Sequence, residues 1–162
     1  MMKRILFVCL GNICRSPTAE AVARARFQAA GLNDVEVASA GTGGWHIGKS
    51  PDERAMRAAA NRGYDMRKLR GAQVRRQDFN DFDLILAMDK DNLADLQARQ
   101  PASGQAASGK GARLALLMDY APGRAGEEVP DPYYGNGDGF ATVLDMIEEA
   151  VDGLISTLRN HS

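Results

Sequence analysis

Near the start of the chain, residues 9–16 read Cys-Leu-Gly-Asn-Ile-Cys-Arg-Ser, and Pro17 follows. A thiol and a guanidinium with five residues between them on one short loop suit phosphate chemistry. Arg15 supplies a planar fork that matches two phosphate oxygens. Backbone N–H groups of a tight loop can ring an oxyanion, and a helix that starts at the loop's end adds unpaired donors and partial positive charge. Leu10, Gly11, Asn12, Ile13, Cys14 and Ser16 are therefore candidate phosphate-binding positions. Gly11 permits a close turn, and Asn12 tolerates a left-handed backbone. The same field favours a thiolate at Cys9 and arms it as a nucleophile, with Ser16 placed to donate a hydrogen bond to the sulfur. The bland alternative is a structural cysteine ending a core strand, since free cysteine is among the most buried residue types. The full pattern between a strand and a helix favours catalysis. The nucleotide-binding pattern Gly-Lys-Ser/Thr is absent, which disfavours a triphosphatase. Cys14 has two readings: a packing residue in the loop wall, or a thiol that captures an oxidised Cys9.

A thiolate can take a phosphoryl group only if the leaving oxygen is protonated, and a carboxylic acid is the usual donor. Asp131 stands between Pro130 and Pro132, which stiffen its loop, and Tyr133 and Tyr134 follow. The tyrosines could wall a cleft for an aromatic ring. A plain turn before the last helix explains the same residues equally well.

The elements that must position these groups alternate. Apolar runs over 4–9, 83–88 and 112–117, and an alternating run over 35–39, predict four strands. Helical patterns cover 17–30, 51–62 and 89–99, with Gly31 and Gly63 as stops. Phe140, Leu144, Ile147, Val151, Leu154 and Leu158 form one apolar stripe on a final helix of roughly 20 residues. The order predicts a single α/β domain over residues 1–162, with a parallel sheet flanked by helices on both faces. Such sheets bind ligands at the carboxyl ends of their strands, where residues 9–16 fall.

With 162 residues, 44% hydrophobic and 25% charged, the composition is that of a soluble globular protein. A net charge of -1 gives no basic field for nucleic acid or anionic membrane. The first apolar run, residues 5–10, is too short for a signal peptide or membrane span, and no later segment is apolar enough. Two cysteines five residues apart make no disulfide framework, so a cytoplasmic protein is expected. Residues 101–111 (PASGQAASGKG) read as a surface loop.

Cys9 to Pro17 (CLGNICRSP), with Asp131 to Asn136 (DPYYGN), resembles the low-molecular-weight protein tyrosine phosphatases. Further likeness lies in Thr18-Ala19-Glu20, Ser39-Ala40-Gly41-Thr42 and Met88-Asp89. The resemblance implies a four-stranded sheet in the order 2-1-3-4 and a two-step reaction through a phosphocysteine, with no metal or organic cofactor. It implies Cys9 as nucleophile, Arg15 as phosphate clamp, and Asp131 as the acid that protonates the phenolate and then activates water. It implies a hydrogen-bond network of Asn12, Ser16 and Ser39 that shapes the loop, and Trp45 and Tyr133 flanking the substrate ring, with Tyr134 beside them. Its expected partners are a tyrosine-phosphorylated protein, such as a tyrosine autokinase, and inorganic phosphate as product or inhibitor. His46 and His161 are not needed for this chemistry. The chain departs from the family's His-x-Ala-Arg-Gln stretch: Leu69 stands at the His and Ala72 at the Arg, which puts the loop's stiffness in question.

Three other readings are weaker. A thioredoxin-coupled arsenate reductase needs cysteines outside the loop, and this chain has none. Phosphoarginine phosphatases of the family tend to carry Thr where this loop has Ile13. A phosphate-binding module needs neither Cys9 nor Asp131. The thiolate and acid pair predicts a rate optimum on the acid side of neutral.

Overall fold

The computed structural model describes residues 4–101, 111–132 and 138–160. Most of the low-complexity stretch, and Tyr133, Tyr134 and His161, lie outside the described residues. Four strands, β1 (Arg4–Cys9), β2 (Glu36–Gly41), β3 (Leu84–Ala87) and β4 (Arg113–Leu116), form one sheet. The order is β2-β1-β3-β4 and every pairing is parallel, as expected. Central β1 and β3 are buried on both faces, which is why they read as unbroken apolar runs.

One face carries α1 (Arg15–Ala29), α2 (Glu53–Ala60) and α5 (Asp138–Asn160), packed on Ile5, Phe7, Leu84 and Leu86. All six residues of the expected stripe on α5 are buried. The other face, with Leu6, Val8, Ile85 and Ala87, is covered by α4 (Lys90–Arg99) and by the short α3 (Asp78–Asp81). The sequence reading did not include α3. It forms because the Asp78 carboxylate accepts the Arg75 N–H at 2.8 Å, closing a turn that buries Phe79.

Two strand ends differ from expectation in ways that matter for the site. β2 runs to Gly41, through residues of poor strand propensity, because its register with β1 continues to Cys9↔Gly41. At β4, Leu117 leaves the strand and opens a 3-10 turn, Leu117–Tyr120, where Asp119 accepts the Leu116 N–H at 3.2 Å. Three bonds gather the strand ends: Thr42 N–H to the Cys9 carbonyl (2.9 Å), Met88 N–H to Val8 (3.0 Å), and Val129 N–H to Met88 (2.8 Å). The last brings residues 129–131 over the end of β3.

Candidate active site

The loop after β1 leads straight into α1, and that helix start is unlike its neighbours. The carboxylates of Asp52 and Asp89 cap α2 and α4. No side chain caps α1, and its first turn holds no acidic residue. The unpaired N–H groups and partial positive charge of that end are left for a bound anion.

Within the loop, polar side chains are buried and mutually satisfied. Asn12, Arg15 and Ser16 are 2%, 3% and 0% exposed. Asn12 takes a left-handed backbone, φ 57°, and its N–H donates to Cys9 Sγ at 3.3 Å. Its side-chain Oδ1 accepts the Ala72 N–H at 2.9 Å, which fixes how the amide points. Nδ2 then donates to Ser16 Oγ at 2.8 Å and to Ser39 Oγ at 3.0 Å. Ser16 Oγ lies 2.9 Å from Cys9 Sγ. Having accepted from Asn12, Ser16 has one hydrogen to give, and the sulfur is the nearer acceptor; the Ala40 carbonyl is 3.4 Å away. An unpaired buried polar group costs roughly 1–3 kcal/mol, so this closed network resists distortion.

Arg15 is aimed by acceptors outside the loop. Nη1 donates to Asp89 Oδ2 at 2.7 Å and to the Val129 carbonyl at 2.9 Å. Nη2 lies 3.8 Å from Asp131 Oδ2. Asp89 thus does two jobs, since its Oδ1 accepts the Asn92 N–H at 2.8 Å and caps α4. The sequence reading noted Asp89 only within a matching stretch; its position, one residue before a helix and just after a strand, was the available signal.

These groups open into one cavity of about 400 Å³, lined by Cys9, Leu10, Gly11, Ile13, Cys14, Arg15, Trp45, His46 and Asp131. The reacting groups expected from sequence are therefore together. Trp45 stands at the rim, 68% exposed, folded so that its ring covers Gly43: a Cβ there would lie 1.9 Å from the indole. His46, set aside in the sequence reading, also lines the cavity. Its ring rests on Gly11, where a Cβ would meet it at 3.2 Å. Gly11 is not among the residues with positive φ, so close contact with His46, rather than a turn, is its use here. Leu69 packs against the core, and the backbone of Ala72 serves Asn12, so both replacements keep a structural task.

Both cysteines are free thiols. Burial, then the nearby Asp52 carboxylate, pushes the Cys14 thiol up to about 12, so it stays protonated at neutral pH. Among the described residues no cluster of three or more His, Cys, Asp or Glu could hold a metal ion, and no helix is long and apolar enough to cross a membrane.

Comparison with known proteins agrees with this geometry. The sequence model of the family described as low molecular weight phosphotyrosine protein phosphatase matches residues 4–162. The low molecular weight protein-tyrosine-phosphatase of Streptomyces coelicolor is 44% identical, the match covering 98% of this chain and 95% of that one. The crystal structure of a protein tyrosine phosphatase from Entamoeba histolytica, with Hepes in its active site, superposes with a TM-score of 0.88 at 39% identity, covering 98% of each chain. The Drosophila arginine phosphatase DARP superposes with a TM-score of 0.85 at 31% identity, covering 98% of each chain. The chain belongs to the low molecular weight phosphotyrosine protein phosphatases, hydrolases that work through a phosphocysteine.

Proposed function

We propose that this chain removes phosphate from phosphotyrosine in proteins, with Cys9 as nucleophile, Arg15 as clamp and Asp131 as acid and base. The observation that carries the assignment is the convergence of Cys9, Arg15 and Asp131 on one cavity, at the uncapped start of α1. The Cys9 thiolate attacks phosphorus as the phosphorus–oxygen bond to the tyrosine breaks, and Asp131 gives its proton to the departing phenolate. Arg15 and the loop N–H groups stabilise the charge on the transferred oxygens. Water then attacks phosphorus, Asp131 takes its proton, and the phosphorus–sulfur bond breaks. The hydrogen of Ser16 meets the thiolate as it leaves. Inorganic phosphate, the product, binds the same loop and inhibits.

The DARP likeness makes phosphoarginine the reading to test against. Ile13 and the exposed indole of Trp45 give this cavity apolar walls, which suit a flat ring better than a guanidinium. A tyrosine-phosphorylated protein, such as a tyrosine autokinase, is the substrate we propose, met in the cytoplasm. The test is turnover of p-nitrophenyl phosphate, a phosphotyrosine peptide and a phosphoarginine peptide, with chelator present. The unmodified chain is expected to hydrolyse the first two. Cys9→Ser is expected to show none, and Asp131→Ala to be slower by roughly 10²- to 10⁴-fold. Preference for phosphoarginine overturns the substrate assignment. No turnover by the reduced chain overturns the catalytic one.

A further inference from the structure

The net charge of -1 hides a separation along the chain. Residues 49–76 hold nine lysines and arginines against three aspartates and glutamates, whereas the rest of the chain holds 11 against 18. Part of this charge is spent inside the fold. Arg62 pairs with Asp145 and Glu148 on α5, Arg54 with Asp52, Arg67 with Asp65 and Arg75 with Asp78. Lys49, Arg57, Lys68, Arg70 and Arg76 are exposed and make no ion pair among the described residues.

Three of these five stand behind the wall of the cleft. His46 lines the cavity, and its carbonyl lies so close to Gly71 that a Cβ there would meet it at 2.1 Å. Gly48 N–H donates to the Gly71 carbonyl and Gly71 N–H to the Lys49 carbonyl, both at 2.8 Å, so Lys49 and Arg70 are carried on two segments tied side by side. Lys68 occupies a corner of the turn that the Leu69 N–H closes on the Met66 carbonyl at 3.2 Å. Arg70 is fixed in place: Nη1 donates to the carbonyls of Arg67 and Leu69 at 2.9 and 2.7 Å. Carbonyls hold a guanidinium without cancelling its charge, so the cation is aimed in advance and keeps donors for a second partner.

We infer that Lys49, Lys68 and Arg70 form a basic seat beside the cleft, which takes carboxylates flanking the phosphotyrosine of the substrate protein. The inference rests on the function proposed above and narrows its substrate to an acidic segment. An extended peptide advances roughly 3.3–3.6 Å per residue, so a phosphotyrosine in the cavity carries its next few side chains across the rim. The other side of the mouth has the opposite character. Asp52 N–H donates to the Ile13 carbonyl at 2.8 Å, which brings Asp52 and the exposed Glu53 up to the loop. Carboxylates are repelled there and attracted at residues 68–70, so an acidic flank has one direction in which to run.

The experiment uses three phosphotyrosine peptides: one with neutral flanks, one with glutamates before the phosphotyrosine and one with glutamates after it. The unmodified chain is compared with Lys49→Gln, Lys68→Gln, Arg70→Gln and the triple variant, in low and high salt. p-Nitrophenyl phosphate, which has no flanks, reports the basal activity. One of the acidic peptides is expected to show a KM roughly tenfold below that of the neutral one in low salt, with kcat unchanged, and an advantage under about twofold in high salt. Each single glutamine is expected to remove about 1.5- to fivefold of that advantage, and the triple variant all of it, with p-nitrophenyl phosphate turned over as before. Equal KM for the three peptides in low salt overturns the inference, as does an advantage that survives in the triple variant. Peptide binding to Cys9→Ser, followed by fluorescence polarisation, separates the seat from the reaction. If the unmodified chain turns over no phosphotyrosine, yet the acidic peptide binds Cys9→Ser in a salt-dependent way that the three glutamines abolish, the proposed function falls and the seat stands. Vesicles of anionic lipid that bind the unmodified chain and not the triple variant, with the three peptides alike, assign these cations to a membrane surface and overturn the inference.

Discussion

The floor and the wall of the cleft are built by opposite means. The floor is buried polar groups: Asn12, Ser16, Ser39 and Glu20 in one hydrogen-bonded line, and Arg15 held by Asp89 and the Val129 carbonyl. The wall is exposed apolar surface. Leu10 and Trp45, which line the cleft, are 47% and 68% exposed. The floor cannot move without leaving polar atoms unpaired. The wall is seated mostly through its backbone: Gly43 N–H on the Leu10 carbonyl at 2.9 Å, Gly48 N–H on Gly71 at 2.8 Å, and Gly71 N–H on Lys49 at 2.8 Å. Chemistry that needs donors within a few tenths of an ångström is assigned to the rigid part. Selection of a substrate, which tolerates more movement, is assigned to the other.

Substitutions in the floor are therefore expected to act on kcat/KM strongly. Among substitutions that keep the nucleophile and the acid, the largest effect is expected from Arg15→Lys. It keeps the charge but loses the fork that spans Asp89, Val129 and the cavity, and a lysine cannot fill all three directions. A fall in kcat/KM of roughly 10²- to 10³-fold on p-nitrophenyl phosphate is the outcome to look for, with an unchanged melting temperature to show the fold intact. A loss under tenfold would mean that charge alone suffices and that the aiming of Arg15 matters little.

The two thiols of the floor offer the next contrast. Cys14, pushed from 9.0 to about 12, is protonated throughout the working range. Native chain treated with iodoacetamide near pH 8 is expected to be alkylated at Cys9, with Cys14 slower by roughly a hundredfold because its thiolate fraction is so small. In denaturant both should react alike, and peptide mass spectrometry reads the ratio. The sign for stability follows from the raised value. Between about pH 9 and about 12 the folded chain holds a proton that the unfolded chain has lost, so stability falls as pH rises through that window. Cys14→Ala should lose that part of the decline.

How much of this was legible from sequence divides along the same line. The sheet order, the six-residue stripe on α5 and the meeting of Cys9, Arg15 and Asp131 all follow from local pattern and from resemblance. Short-range spacing carries that information: Cys9 and Arg15 share one loop, and α5 repeats every third or fourth residue. What was missed depends on partners far apart in the chain. Asp89 reaches Arg15 across 74 positions, and the Ala72 N–H reaches Asn12 across 60. A backbone donor has no side chain to announce it, so replacement of a family Arg by Ala72 looked like loss when the position supplies its main chain. His46 was read as an ordinary loop residue because nothing in its neighbours reveals the seat on Gly11. Gly11 was read as a turn former because the sequence cannot distinguish a glycine needed for φ from one needed for space.

At the wall, effects are expected to be smaller and to fall on KM. Trp45→Ala removes the indole at the rim and should raise KM for a phosphotyrosine peptide roughly three- to tenfold, in line with loss of about 0.5–1.5 kcal/mol of ring contact. Inhibition by inorganic phosphate, proposed above to bind the loop of the floor, should not change. A drop in kcat of the same size would break the division between floor and wall.

The smallest change tests the wall's geometry. A Cβ at Gly43 would fall 1.9 Å from the ring of Trp45, so Gly43→Ala must turn the indole off its seat. The obstructed atoms belong to a side chain that can rotate, so the fold should tolerate the methyl, and the indole should still stand near the rim. KM for the peptide is expected to rise only two- to threefold, with the fluorescence of the single tryptophan shifted by its new surroundings. Moved fluorescence with unmoved KM would show that the ring reaches substrate from either orientation, and that the wall selects by surface rather than by shape. If neither moves, Trp45 does not rest on Gly43 in solution, and the wall is looser still than the floor.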